Sequence, residues 1–434
     1  MKSAIAFATL FLGLTLGEHS VEVLVSHEVG RVEILFDGGA IATLDGPPWR
    51  AFCDLGQELA PRNLEAIAYD HAGEEIGRAK QWLNTPRPPA QGRILLDEDP
   101  VTGQVVARLR STSVTQEVPD RVTVQFDGEP LPADDPSRIV LPPHDPEQLH
   151  YLRVSFEFDG GLSSTVEQTF GGGFSDEVRA ELTAVPLQLE EPIVEPRSLP
   201  TGWLQARGEG LSVVDVVEGP VEIVLVRDQS AQVDINRMVR NRPSGLGGQA
   251  SYRGVGSLKK GYSVTLLRPY AEHLQRTDTD LRLFKPTSRL TAFDGGVFWL
   301  LAVVPAPRAP LRLQRLSDAL AVAGLSVSGD GHRRAVVLLV GSEQTDTNSQ
   351  YSPEIVRAYL EKMRVPLFIW STDGAGETPW GMAEDASSMS KIGRRTKQMI
   401  RELERQRIAW VRGVFLPPEI SLAEGQGGIR LAGS

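Results

Sequence analysis

The chain has one cysteine, Cys53, among 434 residues. A lone thiol cannot close an internal disulfide, so stability must come from packed apolar cores. Cys53 sits between Phe52 and Asp54 in a strand-like stretch. No histidine stands at a spacing that would make it a nucleophile, so a small core residue is expected. Positive charge is also in deficit: 45 Lys and Arg against 56 Asp and Glu give a net charge of −11 and a pI near 5.3. That balance argues against a phosphate-backbone partner. The seven histidines are scattered. His144 and His150 are close, but Pro146 intervenes and the spacing fits no helix face. There is no Gly-x-Ser-x-Gly elbow and no His-Glu-x-x-His pair, so a nucleophile held against a base is not legible and the chain is expected not to be an enzyme. Beyond the first residues no apolar run approaches a membrane span.

The 41% apolar content is enough for sizeable cores. At the N-terminus, Lys2 precedes an apolar run from Ala4 to Leu16, and Thr15-Leu16-Gly17 offers small residues at the −3 and −1 positions. This has the form of a secretory leader, residues 1–17, with cleavage after Gly17 and an extracytoplasmic, periplasmic or secreted, product. Two proline-rich joints then divide the chain, Thr85 to Pro89 and Leu189 to Pro200.

Residues 21–84 show short alternating segments: Arg31 to Phe36, Ala40 to Leu44, Trp49 to Leu55, Asn63 to Tyr69 and Ile76 to Leu83. Asp37-Gly38-Gly39 supplies turn chemistry between the first two. The pattern Val32-x-x-Leu35-x-Asp37-Gly38, then Pro48-Trp49, then Leu64-x-Ala66-x-Ala68-x-Asp70-x-x-Gly73 resembles bacterial immunoglobulin-like modules, which implies a β-sandwich that acts as a spacer or adhesion surface. Residues 91–190 predict a second β-sandwich. Its strands are Val105 to Thr112, Arg121 to Phe126, Leu149 to Phe158 and Ser163 to Phe170, alternating apolar with polar. Asp97-Glu98-Asp99 lacks regularly spaced calcium ligands and is expected to be a solvated turn. Gly171-Gly172-Gly173 has no following Lys-Ser/Thr and is expected to be a hairpin loop.

Residues 198–434 change texture. Apolar runs at Glu222 to Val226, Tyr262 to Leu267, Leu281 to Lys285, Ala335 to Val340 and Leu367 to Trp370 alternate with helical stripes. These stripes are Leu313, Leu316, Leu320 and Ala323; Ile355, Tyr359 and Met363; and Ile392, Thr396, Met399, Ile400 and Leu403. Ser352-Pro353-Glu354 predicts a capped helix start. The last stripe carries Lys391, Arg394, Arg395, Lys397, Arg401, Arg405 and Arg407, which are expected to be a solvated face with no nucleic-acid role. The expected fold class is therefore multidomain: two all-β immunoglobulin-like sandwiches, then an α/β doubly wound domain.

Val224-Leu225-Val226-x-Asp228-x-Ser230, with Ala335 to Glu343, Pro366 to Trp370 and Gln406 to Trp410, resembles a von Willebrand factor type A domain of the secreted bacterial kind. The resemblance implies a metal-ion-dependent adhesion site holding Mg²⁺. Asp228, Ser230 and Thr291 are its candidate ligands. Gln232 stands in place of a second hydroxyl and Gly341 in place of an Asp, while Glu343 and Asp346 lie out of register. The site is thus expected to be a remnant without a bound cofactor, with Asp228 and Ser230 capping the following helix instead. The Gly-rich loop Gly245 to Gly256 is a binding loop or plain surface. The expected function is a non-catalytic, exported binding or adhesion module with a protein partner. Its alternatives are a structural component of a cell-envelope assembly, or a domain that keeps Mg²⁺-dependent ligand binding.

Overall fold

Alternation of apolar and polar residues dictates most of this molecule, because it fits strands with one buried face. The computed structural model describes residues 4–433 except 87–89, 99–103, 114–117, 134, 146–147, 159–161, 172–181, 191–201, 242–252, 274–280, 285, 293, 305–313, 329–330 and 424–427. Much of the two expected proline-rich joints, the Gly245 to Gly256 loop and the Gly171 to Gly173 loop lies outside the described residues. Among the described residues strands hold 47% and helices 18%, and the protein is multidomain and mostly β. It divides into two compact units, Met1–Arg179 and Ala180–Ser434.

The first unit contains two sandwiches. In the first, Gly39–Leu44, Val29–Phe36, Arg62–Asp70 and Glu75–Leu83 form one antiparallel sheet in that order, and Ile5–Phe7, Glu18–Val25 and Arg50–Asp54 form the other. Val21, Val32, Ile34, Cys53, Leu64 and Ala66 close the core between them. Burial raises the pKa of the Cys53 thiol, which keeps it protonated and inert. Asp37 (φ 48°) and Gly38 (φ 84°) turn the first hairpin in the left-handed region, as a two-residue turn of this type requires. The run from Ala4 to Leu16 opens this sandwich, with Ile5–Phe7 paired antiparallel to Val23, Leu24 and Val25.

In the second sandwich, Glu129–Leu131, Arg121–Phe126, Leu149–Phe158 and Leu162–Gly171 face Ile139–Val140, Val105–Ser113 and Ala90–Glu98. Gly92 permits their close approach, since a Cβ there would stand 2.3 Å from the Phe156 ring. Asp97 is not in a solvated turn; it lies within the strand Ala90–Glu98 with only 4% exposure. Asp99 lies outside the described residues.

The second unit combines a mixed sheet with a smaller β assembly. The mixed sheet runs Leu290–Thr291, Tyr262–Leu267, Val221–Arg227, Arg333–Val340, Leu367–Ser371, Gly381–Asp385, Gly376–Thr378. Its five inner strands are parallel and both edges antiparallel. Helices α1 (Gln229–Arg240), α2 (Val297–Val303) and α5 (Met389–Glu404) pack on one face with Ile223, Leu225, Val337 and Leu339. Alternation turns Val224 and Val226 to the opposite face. There α3 (Leu316–Val327) packs against both central strands and against α4 (Pro353–Lys362). Ser352 caps α4 by accepting from the Ile355 amide. Two of the basic residues of α5 are paired, Lys391 with Asp385 and Arg395 with Glu384.

The smaller assembly departs from the expected domain boundaries. Leu182–Leu189, assigned by sequence to the second sandwich, pairs instead with Gln406–Arg412 and Ile429–Leu431. With Leu204–Ala206 and Ile420–Leu422 it builds a separate core around Val185, Leu187, Trp203 and Val411. A partner more than two hundred residues away leaves no trace in local alternation, which is why the expected boundary at 190 lies too far along the chain.

Candidate functional site

In open sheets with parallel strands, ligands bind outside the carboxyl ends of the strands. Val221–Arg227 ends there, and Asp228 follows in extended conformation (φ −60°, ψ 146°) as the N-cap of α1. Ser230 lies inside α1 and does not cap it, but the expected cap by Asp228 is present: Asp228 accepts from the Ser230 amide at 3.3 Å. It accepts more besides. The Ser230 hydroxyl donates to the same carboxylate. Gln314 Nε2 donates to Oδ1 at 2.9 Å, and the Gly341 amide donates to Oδ2 at 3.2 Å. A carboxylate has about four lone-pair directions, and four donors occupy this one. Asp228 is 0% exposed, so no solvent competes for it.

Gly341 fills its place for a steric reason. A Cβ at this position would meet Ser230 Oγ at 2.3 Å and the Ala231 amide nitrogen at 2.4 Å. The backbone therefore runs against α1 with no room for a side chain, let alone a carboxylate. Ser230 Oγ also accepts from the Glu343 amide at 3.3 Å, which ties down the next part of the loop. Gln232 is buried and donates one turn along α1, to Asn236 Oδ1 at 2.7 Å.

Thr291 does not join Asp228 and Ser230. It pairs with Ser263, which lies beside Glu222 at the start of the parallel strands. Asp228 comes six residues after Glu222, roughly 20 Å along the strand at 3.3 Å per residue. Thr291 donates from both its amide and its hydroxyl to Asp294 Oδ2, each at 2.8 Å. Those bonds hold the Asp294 pKa below the ordinary carboxylate value.

The out-of-register acids are employed elsewhere. Asp346 caps α3, accepting from the Leu316 amide at 2.5 Å and the Ser317 hydroxyl at 2.5 Å, with the Ser349 hydroxyl as a third donor at 2.5 Å. Burial raises its pKa even against these bonds. In the first turn of α3, Asp318 (2% exposed) accepts from the amides of Gln350 at 2.9 Å and Tyr351 at 3.1 Å and pairs with Arg315 at 2.6 Å. Trp380 Nε1 donates to Ser317 Oγ at 3.0 Å. Two buried carboxylates, Asp228 and Asp318, and the half-buried Asp346 thus bolt the segment 341–352 to α1 and α3. Sequence reasoning missed Gln314, Ser317, Asp318 and Trp380. Only Asp318 left a signal, as an acid in a first helical turn. Among the described residues no group of three His, Cys, Asp or Glu side chains is placed to hold a metal ion.

No family model matches the chain, and no curated protein matches it. Solved structures similar to parts of it include fibronectin-III modules. The fibronectin(III)-like modules of CbhA from Clostridium thermocellum are 17% identical, covering 18% of this chain and 92% of theirs, with a TM-score of 0.17. The central fibronectin-III array of RIM-binding protein is 10% identical, covering 46% and 83%, with a TM-score of 0.19. The mixed-linkage glucan utilization locus protein SGBP-B of Bacteroides ovatus, solved with a heptasaccharide, is 10% identical, covering 49% and 88%, with a TM-score of 0.14.

The resemblance to von Willebrand factor type A domains is not upheld. No family model supports it, and the described residues are mostly β. The residues that carried the resemblance, an apolar parallel strand followed by an Asp cap, meet general needs of a parallel sheet rather than those of one family. Asp228, Ser230 and Gly341 close on one another, and Thr291 lies at the other end of the strands.

Proposed function

We propose that the chain is a non-catalytic binding protein, in which β-sandwich modules accompany an α/β unit whose strand ends are sealed by side-chain bonds. The saturated carboxylate of Asp228 carries this reading. Where an enzyme of this layer type would present reactive groups, the acids Asp228, Asp318 and Asp346 are consumed in fastening loops. Ser230, 6% exposed, donates its proton to a buried carboxylate and accepts from an amide, which leaves it poorly placed as a nucleophile. Among the described residues no helix is long and apolar enough to cross a membrane.

The test is capture of partners by cross-linking to the tagged full chain, followed by reconstitution with the purified partner with and without EDTA. The reading expects the same affinity in both conditions. Association that requires a divalent cation, or turnover in an activity screen that Ser230→Ala abolishes, contradicts it.

A further inference from the structure

The run from Ala4 to Gly17 has the form of a leader, yet the rest of the first sandwich is shaped around it. Ala4, Ile5, Phe7, Leu10 and Phe11 are each at most 9% exposed and belong to the sandwich core. Ile5–Phe7 forms ladder bonds with Val23–Val25, and the Ser26 amide donates to Ala4 O at 2.9 Å. The polar residues interrupting the run are used as well: Thr9 Oγ1 accepts from the Glu22 amide at 2.9 Å.

Three residues far along the chain, two by their side chains and one by lacking a Cβ, suit this segment. Gln81, 3% exposed, donates to Thr9 O at 3.0 Å and accepts from the Phe11 amide at 3.4 Å. Asn84, also 3% exposed, donates to Thr15 O at 3.0 Å and accepts from the Thr15 amide at 2.7 Å. Gly77 leaves the space that Ala4 fills, since a Cβ there would stand 2.9 Å from the Ala4 Cβ. The expected cleavage point also lies inside paired backbone. The Gly17 amide donates to Gly56 O at 2.6 Å, and the Leu55 amide donates to Gly17 O at 2.8 Å. Cutting after Gly17 would strip five apolar side chains from the core and leave two buried amide side chains short of partners, which is costly for each group.

We propose that residues 4–17 remain on the folded protein as the opening strand and strap of the first sandwich, rather than being removed as a leader. The test is N-terminal sequencing and intact mass of the full chain, carrying a C-terminal tag, recovered from cells with a working secretory pathway. Amide exchange of peptides covering residues 4–17 accompanies it. Retention of the segment, with slow exchange at Phe11 and Thr15, is expected. Asn84→Ala should speed exchange at Thr15 by about tenfold, the factor for loss of roughly one net hydrogen bond. A folded product that begins at Glu18, or a parent chain whose 4–17 peptide exchanges completely at the shortest time, overturns the proposal.

Discussion

Single residues in this protein hold backbone, and two of them give sharp tests. Gly341 touches Ser230 and Ala231 where any Cβ would overlap. Gly341→Ala is expected to lower stability by ~1–3 kcal/mol, the usual cost of overpacking, read as a lower denaturant midpoint for the second unit. An unchanged midpoint would mean that the loop is not seated against α1. The second test concerns His150. Its Nδ1 faces Asp127 Oδ2 at 2.7 Å and its Nε2 faces Asp145 O at 2.8 Å, two acceptors that only the imidazolium can satisfy together. The bond to Asp127 raises the His150 pKa above its ordinary 6.5, outweighing desolvation. Because the folded value is the higher one, this stabilisation is complete below about pH 6.5 and is lost as pH rises through the folded value. Asp127, held low chiefly by the same bond, contributes above the ordinary carboxylate range and loses its contribution in acid. Thermal melts of the full chain should therefore show the second sandwich weakening from mildly acidic to alkaline pH. His150→Gln should flatten that slope, and an equal slope in the variant would refute the assignment.

Between elements, Asp97 joins the two sandwiches of the first unit. His27 of the first sandwich lies 3.1 Å from its Oδ1, and Arg108 of the second lies 3.1 Å from its Oδ2. Arg108 also reaches back to Val25 O at 3.3 Å. A buried carboxylate shared in this way fixes the angle between the modules, where the proline-rich sequence alone suggests only a stiff connector. Spin labels on Thr43→Cys and Glu129→Cys, in a Cys53→Ala background, should give a narrow distance distribution that Asp97→Ala or His27→Ala broadens. Equal widths throughout would show that the clamp does not set the angle. The elements themselves were largely legible in the sequence. Val122-x-Val124-x-Phe126 and Val154-x-Phe156-x-Phe158 alternate and are strands. The stripe from Ile392 to Leu403 is a helix. Ile5–Phe7 was hidden because its uninterrupted apolar run has no alternation to distinguish a buried strand from a leader. Gln314 was hidden because a lone amide carries no motif, and its role exists only once the fold brings it to Asp228.

At the scale of the whole molecule, separate cores take the place of disulfides. Among the described residues they lie in each sandwich, against the mixed sheet and in the small β assembly that closes the second unit. What the chain offers a partner then depends on whether the carboxyl end of the mixed sheet is open to a cation or sealed by its own side chains. Titration calorimetry of Mg²⁺, repeated with Mn²⁺, into the full chain decides between these. Heats no larger than dilution through the low micromolar range are predicted, with Asp228→Ala indistinguishable from the parent. A one-site isotherm in the parent that Asp228→Ala removes would contradict the account.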